Sequence, residues 1–266
     1  MYDAVEQAHA AARIVCQGAS RKYHRFRAAR FYGGIATADC VGYCLGCVFC
    51  WSARETAVAP SLARGPRLDP IGEVAHPERY GRFYAPEEVA GRLVAIARKK
   101  HFEQVRISGN EPTICREHLL RVLEQIPPDL RFILETNGIL IGADASYAQD
   151  LARFANLVVR VSLKGANEAE FARLTGARPE NFRLPLAALA HLDRAGVAVH
   201  PAVMVSFSSD EAIASLRARL GAIAARFADF EVEELVLYGD VAERLAAAHI
   251  RYRTAYTPRS IPPEQV

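Results

Sequence analysis

Cys40, Cys44, Cys47 and Cys50 lie within eleven residues of one another, in the stretch 39–51 that reads DCVGYCLGCVFCW. A short loop can aim several thiolates at a common point, and a compact run of cysteines is the pattern of iron–sulfur ligation. Zinc sites more often present two separated ligand pairs, and no second Cys/His pair stands at a plausible distance. Disulfides within the run would need an oxidising compartment, and cysteines three apart rarely pair in a relaxed geometry. The run therefore points first to an iron–sulfur cluster, with zinc and unliganded thiols as the alternatives. Cys16, by itself on an alanine-rich helix expected over residues 2–17, reads as a small apolar packer.

The elements that must position these thiols follow from periodicity. Residues 33–38 form a short strand that feeds the cysteine loop. Helices are expected over 86–100, 115–124, 145–154, 168–174, 185–195, 210–227 and 241–248. Between them fall strands at 104–108, 131–136, 157–163, 197–205 and 234–238. Pro86 with Glu87 and Glu88 is a strong helix start, because proline fits the first turn and acids suit its positive end. Strand–helix alternation implies right-handed crossovers and a parallel sheet. Six such units fall short of a closed eight-stranded barrel, so the expected fold is α/β, a partial (β/α)6 barrel.

The expected organisation is an N-terminal helix and basic segment over 1–32, the partial barrel over 33–248, and a tail over 249–266 without a core pattern. Residues 52–84 carry four prolines and read as a loop insertion that could cover the site or dock a partner. Residues 21–30, RKYHRFRAAR, mix basic and aromatic side chains. They suit either a solvated face or a contact surface for phosphate or an acidic partner.

The 266 residues are 51% hydrophobic with a net charge of +3, enough for one sizeable α/β domain or two small ones and too little charge to imply nucleic acid by itself. No run approaches a membrane span and residues 1–18 lack the apolar centre of a signal peptide. A cytoplasmic, reducing location is the expectation.

In parallel α/β folds the site lies at the carboxyl ends of the strands. There the sequence places Ser108-Gly109-Asn110-Glu111-Pro112-Thr113, Glu135-Thr136-Asn137-Gly138 and Ser162-Leu163-Lys164-Gly165. A carboxylate at Glu111 suits an ammonium group, one at Glu135 suits ribose hydroxyls, and Lys164 suits a carboxylate. The plain alternatives are a helix cap for Glu111 and a surface ion pair for Lys164.

Over residues 33–240 the chain resembles the radical S-adenosylmethionine (SAM) enzymes, most closely their pyruvate formate-lyase activase-like branch. In that family three cysteines hold a [4Fe–4S] cluster, and the methionine end of SAM chelates its open iron. Reduction cleaves SAM to a 5′-deoxyadenosyl radical that abstracts hydrogen from substrate. Cys47-Val48-Phe49-Cys50 looks like the end of the family's cysteine motif, and Gly109-Asn110-Glu111-Pro112 like its Gly-Gly-Glu-Pro motif, with Asn110 replacing a glycine. Glu135 and Asn137 lie in a segment similar to the one that reaches the ribose, and Ser162 and Lys164 match a pair that contacts SAM.

The usual C-x3-C-x2-C pattern fits Cys40, Cys44 and Cys47 literally. Counting back from the aromatic–Cys pair instead puts Tyr43 at the first position. The resemblance thus implies three ligands among four cysteines, with Cys44, Cys47 and Cys50 expected to bind and Cys40 expected to be spare. It further implies an electron donor of flavodoxin or ferredoxin type. The substrate stays open between a protein, as for the activases, and RNA, because CVFCW also resembles tRNA wybutosine-forming enzymes. The contrasting class is a four-cysteine electron carrier or zinc-binding interaction module, which needs no SAM pocket.

Overall fold

The computed structural model describes residues 1–51 and 80–262. Its strands are β1 (Cys16–Gln17), β2 (Ser20–Ala29), β3 (Ile35–Cys40), β4 (Arg82–Tyr84), β5 (Gln104–Gly109), β6 (Arg131–Thr136), β7 (Leu157–Leu163), β8 (Ala198–Met204), β9 (Glu231–Glu233), β10 (Leu235–Val236) and β11 (Ala255–Tyr256). The main sheet has the order β1-β2-β3-β5-β6-β7-β8-β9, with β4 paired to β2. From β3 to β9 every neighbour is parallel, which makes six parallel strands in an open sheet. That is the partial (β/α)6 architecture expected from the alternation.

Nine helices among the described residues connect and cover the strands: α1 (Ala4–Val15), α2 (Pro86–Lys100), α3 (Arg116–Leu123), α4 (Ile139–Ala143), α5 (Ala145–Leu151), α6 (Glu168–Thr175), α7 (Arg183–Arg194), α8 (Asp210–Ile223) and α9 (Val241–Ala247). Local chemistry sets their ends. In α2, the Glu88 carboxylate accepts the Ala85 N–H at 3.2 Å, three basic residues fill the last turn, and His101 closes it in a left-handed conformation. In α6, Asn167 accepts the Glu170 N–H at 2.9 Å and Gly176 ends the helix.

Side chains alternate across a strand, so each strand has two faces. Val105, Ile107, Phe132, Leu134, Val159 and Val161 form a core with helix residues such as Leu93, Leu119 and Leu189, all buried. The opposite face is a polar ladder, which departs from the continuous apolar runs usual in parallel sheets. Arg106 donates to Thr37 at 3.0 Å and pairs with Glu135 at 2.7 Å. Arg160 pairs with Glu231 at 2.7 Å and Glu233 at 2.9 Å and donates to Ser162 at 3.0 Å, while His200 reaches Glu231 at 3.1 Å. Isolated, these buried charges would cost several kcal/mol each, and cross-strand pairing offsets that.

Several expectations are corrected. The first parallel strand runs two residues later than expected, so Asp39 and Cys40 belong to it and Gly33 falls in a turn over Phe31–Gly33. Residues 21–30 are a solvated face only in part: they lie within β2 and its end, antiparallel to β3, with Arg25, Ala28 and Arg30 exposed. Arg21, Lys22 and Tyr23 are buried, and Arg25 and Arg27 pair with Asp39 at 2.6 and 2.8 Å.

The sixth parallel strand is Glu231–Glu233, ahead of the expected 234–238. The chain then turns so that β10 pairs with β11 in a separate two-stranded sheet. The tail therefore has a pattern after all, with Ile250 buried and 255–256 in a strand. Most of the 52–84 loop lies outside the described residues, and 82–84 pair with β2. Cys16 is not a lone packer: it is disulfide-bonded to Cys115, with Cα atoms 6.0 Å apart.

Candidate functional site

Cys40 ends β3 with its backbone in register with Tyr23 on one side and Gly109 on the other, and its side chain is fully buried in the main core. The loop proper starts at Val41, and three distant elements fix it. The Gly46 N–H donates to the Thr175 carbonyl at 3.1 Å and the Tyr2 hydroxyl oxygen at 2.7 Å, and the Val48 N–H donates to the Leu174 carbonyl at 2.9 Å. The Arg244 guanidinium, on α9, donates to the carbonyls of Val48 at 2.6 Å and Cys50 at 2.5 Å. Phe49 packs on Phe207 with ring centroids 5.2 Å apart.

Cys44, Cys47 and Cys50 form one electrostatic patch. Burial pushes the Cys47 thiol up to about 12, with Lys164 opposing and Cys50 and Glu233 adding to it. Burial, Glu111 and Cys47 raise the Cys44 thiol as well. Cys40 is raised by burial, but the charges around it are Arg21, Glu111 and Asp39, not the other three cysteines. Among the described residues no three His, Cys, Asp or Glu side chains are grouped around a single ion position. A four-iron cluster makes a different demand, because each thiolate binds its own iron. Buried thiols that resist ionisation need a positive centre to be held as thiolates, and soft sulfur donors suit iron–sulfur clusters. The donor set fits a cluster.

Glu111 follows the end of β5 and starts the Pro112–Ile114 turn. Its buried carboxylate accepts four hydrogen bonds: Thr113 N–H at 3.1 Å, Thr113 hydroxyl at 2.5 Å, Thr136 hydroxyl at 2.6 Å and Asn137 N–H at 2.8 Å. The capping role is therefore real, and it reaches across to the end of β6. Asn137 links this turn to the cysteine loop, since its side-chain amide donates to Cys44 Sγ at 3.3 Å. Gly109 takes φ +99 with the Cys40 backbone within 3.1 Å of where a Cβ would stand. The left-handed residue is thus Gly109, and Asn110 uses its side chain to donate to the Cys40 carbonyl at 3.2 Å. The structure brings Gly109, Asn110, Glu111, Pro112, Asn137 and Cys44 together.

Lys164, past the end of β7, sits beside Cys47 and 3.5 Å from Glu233 Oε2, a loose ion pair. Glu135 is engaged elsewhere: Oε1 accepts the Tyr32 hydroxyl at 2.6 Å and an Arg106 N–H at 2.7 Å. Ser162 accepts from Arg160. Glu135 and Ser162 therefore belong to the polar ladder.

The sequence did not single out Tyr2, Arg21, Glu233 or Arg244. Arg21 is fully buried and donates to the carbonyls of Val41 at 3.3 Å, Glu111 at 2.7 Å and Pro112. It was visible only as one cation in a basic run. A cavity of about 670 Å³ opens at the opposite rim, between residues such as Gln104, Arg131 and Val158 at the strand starts, away from the cysteines.

An open six-stranded parallel sheet with thiols just past its first strand and a buried acidic turn past the second defines a partial (β/α)6 barrel. The family model of the radical SAM superfamily matches residues 40–219, more than half the chain, and the chain belongs to that superfamily, whose enzymes use a [4Fe–4S] cluster and SAM. Among solved structures, SuiB of Streptococcus suis is 17% identical with a TM-score of 0.51, covering 73% of this chain and 38% of its own. SuiB bound to the precursor peptide SuiA is 15% identical with a TM-score of 0.51, covering 80% and 46%. A radical SAM methyltransferase from Sphaerobacter thermophilus is 17% identical with a TM-score of 0.48, covering 85% and 67%. At such identity SuiB attests the fold, and the chain spans less than half of SuiB's length. No curated protein matches the chain. None of these neighbours is an activase, so the activase-like branch gains no support. No helix among the described residues is long and apolar enough to cross a membrane.

Proposed function

We propose that the chain is a SAM-cleaving radical enzyme, with residues 33–248 as the catalytic unit, that abstracts hydrogen from a substrate reaching the carboxyl rim of the sheet. The observation that carries this reading is the contact chain Cys44–Asn137–Glu111, which joins the thiol loop to the acidic turn. When bound, the cluster supplies the electron and SAM the hydrogen-abstracting adenosyl group. Cys44, Cys47 and Cys50 hold the cluster, and Cys40, locked in the strand ladder, is the spare thiol. Arg244, Tyr2 and Thr175 keep the loop backbone in one shape, which lowers the reorganisation needed to accept the cluster. Glu111 and the backbone at Gly109, Asn110 and Pro112 receive the SAM ammonium group, and Lys164 turns from Glu233 to its carboxylate. Asn137 serves on the methionine side, beside Cys44. Glu135 and Ser162 act one layer below, orienting Arg106 and Arg160 on the face turned to substrate.

The electron donor is of flavodoxin or ferredoxin type. Burial of Arg21, Lys22 and Tyr23 shortens the basic strip that, with the CVFCW resemblance, motivated an RNA substrate. A peptide, as in the SuiB complex, is the first class to screen. The test is anaerobic reconstitution followed by assay for 5′-deoxyadenosine with SAM and dithionite. Its absence from a protein carrying about four irons overturns the enzymatic reading in favour of an electron carrier.

A further inference from the structure

The turn that carries Glu111 is gripped from outside by the N-terminal hairpin β1–β2. Arg21 of β2 holds the carbonyls of Val41, Glu111 and Pro112. His118, at the start of α3, takes the Ala19 carbonyl at 2.7 Å and the Tyr23 hydroxyl at 2.9 Å. Cys16 pairs in the ladder with Arg21, and its disulfide runs to Cys115, the residue between the Glu111 turn and α3. Hairpin and turn are thus joined by carbonyl bonds, a histidine bridge and a covalent link that thiol chemistry can open. Cys16 is half-buried and Cys115 buried, so Cys16 is the sulfur an exchanging thiol meets first.

We infer that Cys16 and Cys115 form a thiol–disulfide exchange site whose closure fixes the Glu111 turn, and that the thiol state of the pair sets SAM affinity, the latter part resting on the function proposed above. Closure balances against a low-molecular-weight disulfide such as oxidised glutathione. The Cys16 thiolate attacks it, forming a mixed disulfide and releasing one glutathione thiol. The Cys115 thiolate then displaces the second glutathione, leaving the Cys16–Cys115 bond. Two electrons pass to glutathione and the two protein thiol protons are lost to the two released thiolates. Opening runs the same steps in reverse with reduced glutathione. Cys40, Cys44, Cys47 and Cys50 carry no disulfide and are not part of the exchange.

The test uses the full chain, reconstituted without oxygen and equilibrated in oxidised or reduced glutathione. Free thiols are blocked with N-ethylmaleimide and the digest is read by mass spectrometry. In oxidised glutathione a peptide pair linked through Cys16 and Cys115 is expected. Amide hydrogen exchange over 109–115 should be slower than in reduced glutathione, and Cys16→Ser should exchange at the reduced rate in both. SAM titration should show affinity on the order of five- to tenfold weaker in the reduced state, within the usual range of coupling between sites, and no dependence on glutathione in Cys16→Ser. Full alkylation of both cysteines in oxidised glutathione overturns the proposal, as does equal exchange over 109–115 in the two states. Absence of SAM binding in every state overturns the enzymatic reading and the affinity claim, while the linked peptide and the exchange rates still decide whether the pair governs the turn.

Discussion

Replacing Glu111 by glutamine tests whether its carboxylate is the hub that ties the second and third strand ends to the cysteine loop. Four donors converge on its two oxygens, and all four require an acceptor. Glutamine offers one acceptor oxygen and one amide that only donates. With the amide oxygen in the place of Oε1, the three contacts from Thr113 and Thr136 survive in weaker, neutral form. The amide nitrogen then faces the Asn137 N–H, donor against donor. Losing one hydrogen bond to a charged acceptor in a buried site costs about 1.5–3 kcal/mol. For a chain of this size each kcal/mol moves Tm by about 2–4 °C, so Glu111→Gln should melt roughly 3–12 °C below wild type. Anaerobic calorimetry on protein of equal iron content reads this directly. SAM at 100 times its Kd should add about 2.7 kcal/mol to the wild type and distinctly less to the variant, because the ammonium loses its carboxylate. A variant that melts within 1 °C of wild type and binds SAM equally well would show that Glu111 is not the hub.

Cys44→Ala, Cys47→Ala and Cys50→Ala should each abolish the brown colour and the low-temperature EPR signal of the reduced cluster, whereas Cys40→Ala should keep both; the reverse result for Cys40 refutes its assignment as spare. The Cys16–Cys115 bond closes a loop across a sequence separation of 99, so Cys115→Ser should cost about 2–4 kcal/mol by denaturant unfolding in oxidised buffer, and a cost of zero contradicts the link. Arg106→Met leaves Glu135, among the described residues, with the Tyr32 hydroxyl as its hydrogen-bond donor and the Arg160 charge nearby, and because Glu135 is partly exposed the loss should sit near the lower end of the roughly 3–5 kcal/mol typical of a broken buried pair. Burial alone would raise the Glu231 carboxyl, but hydrogen bonds from His200 and Arg160 win and hold it at about 2 against an ordinary 4.5. A carboxyl depressed in the fold stabilises it above the ordinary value and loses that contribution as pH falls toward the folded one. Wild type should therefore lose stability more steeply than Glu231→Gln between pH 4.5 and 2, and parallel acid-unfolding profiles would refute the assignment.

Elements with regular periodicity and clear end chemistry were legible from residues alone. The helix from Pro86 to Lys100 has proline and acids at one end and three basic residues at the other, and the strand at 157–163 is apolar apart from Arg160 and Ser162. The last parallel strand was hidden because Glu231-Val232-Glu233 is polar, while the more apolar Leu235-Val236-Leu237 next to it draws the eye. Its two glutamates are bound by Arg160 across β8, a contact no local window contains. The same holds for the ladder as a whole: Arg106 and Glu135 read as interruptions in apolar strands until both are seen on one face. The candidate site was legible where chemistry is dense in sequence, at 40–50 and 109–113. Arg21, Tyr2 and Arg244 act on it through backbone carbonyls and amides, and such contacts leave no mark on residue type. Cys16 and Cys115 lie 99 residues apart, so nothing local joins them.

The hold of Arg244 on the carbonyls of Val48 and Cys50 has a consequence for the birth of the protein. The ribosome makes the cysteine loop early and its clasp near the end, with about 200 residues between them. At roughly 5–20 residues per second, that interval lasts about 10–40 s. Through it the Val48 and Cys50 carbonyls lack their late partner, while Tyr2 is already made and Leu174 and Thr175 follow midway. If these thiols hold the cluster as proposed above, iron delivered before α9 emerges meets an incompletely clasped loop, and assembly is expected late. A chain shortened before residue 241 should be made in full yet take up iron poorly.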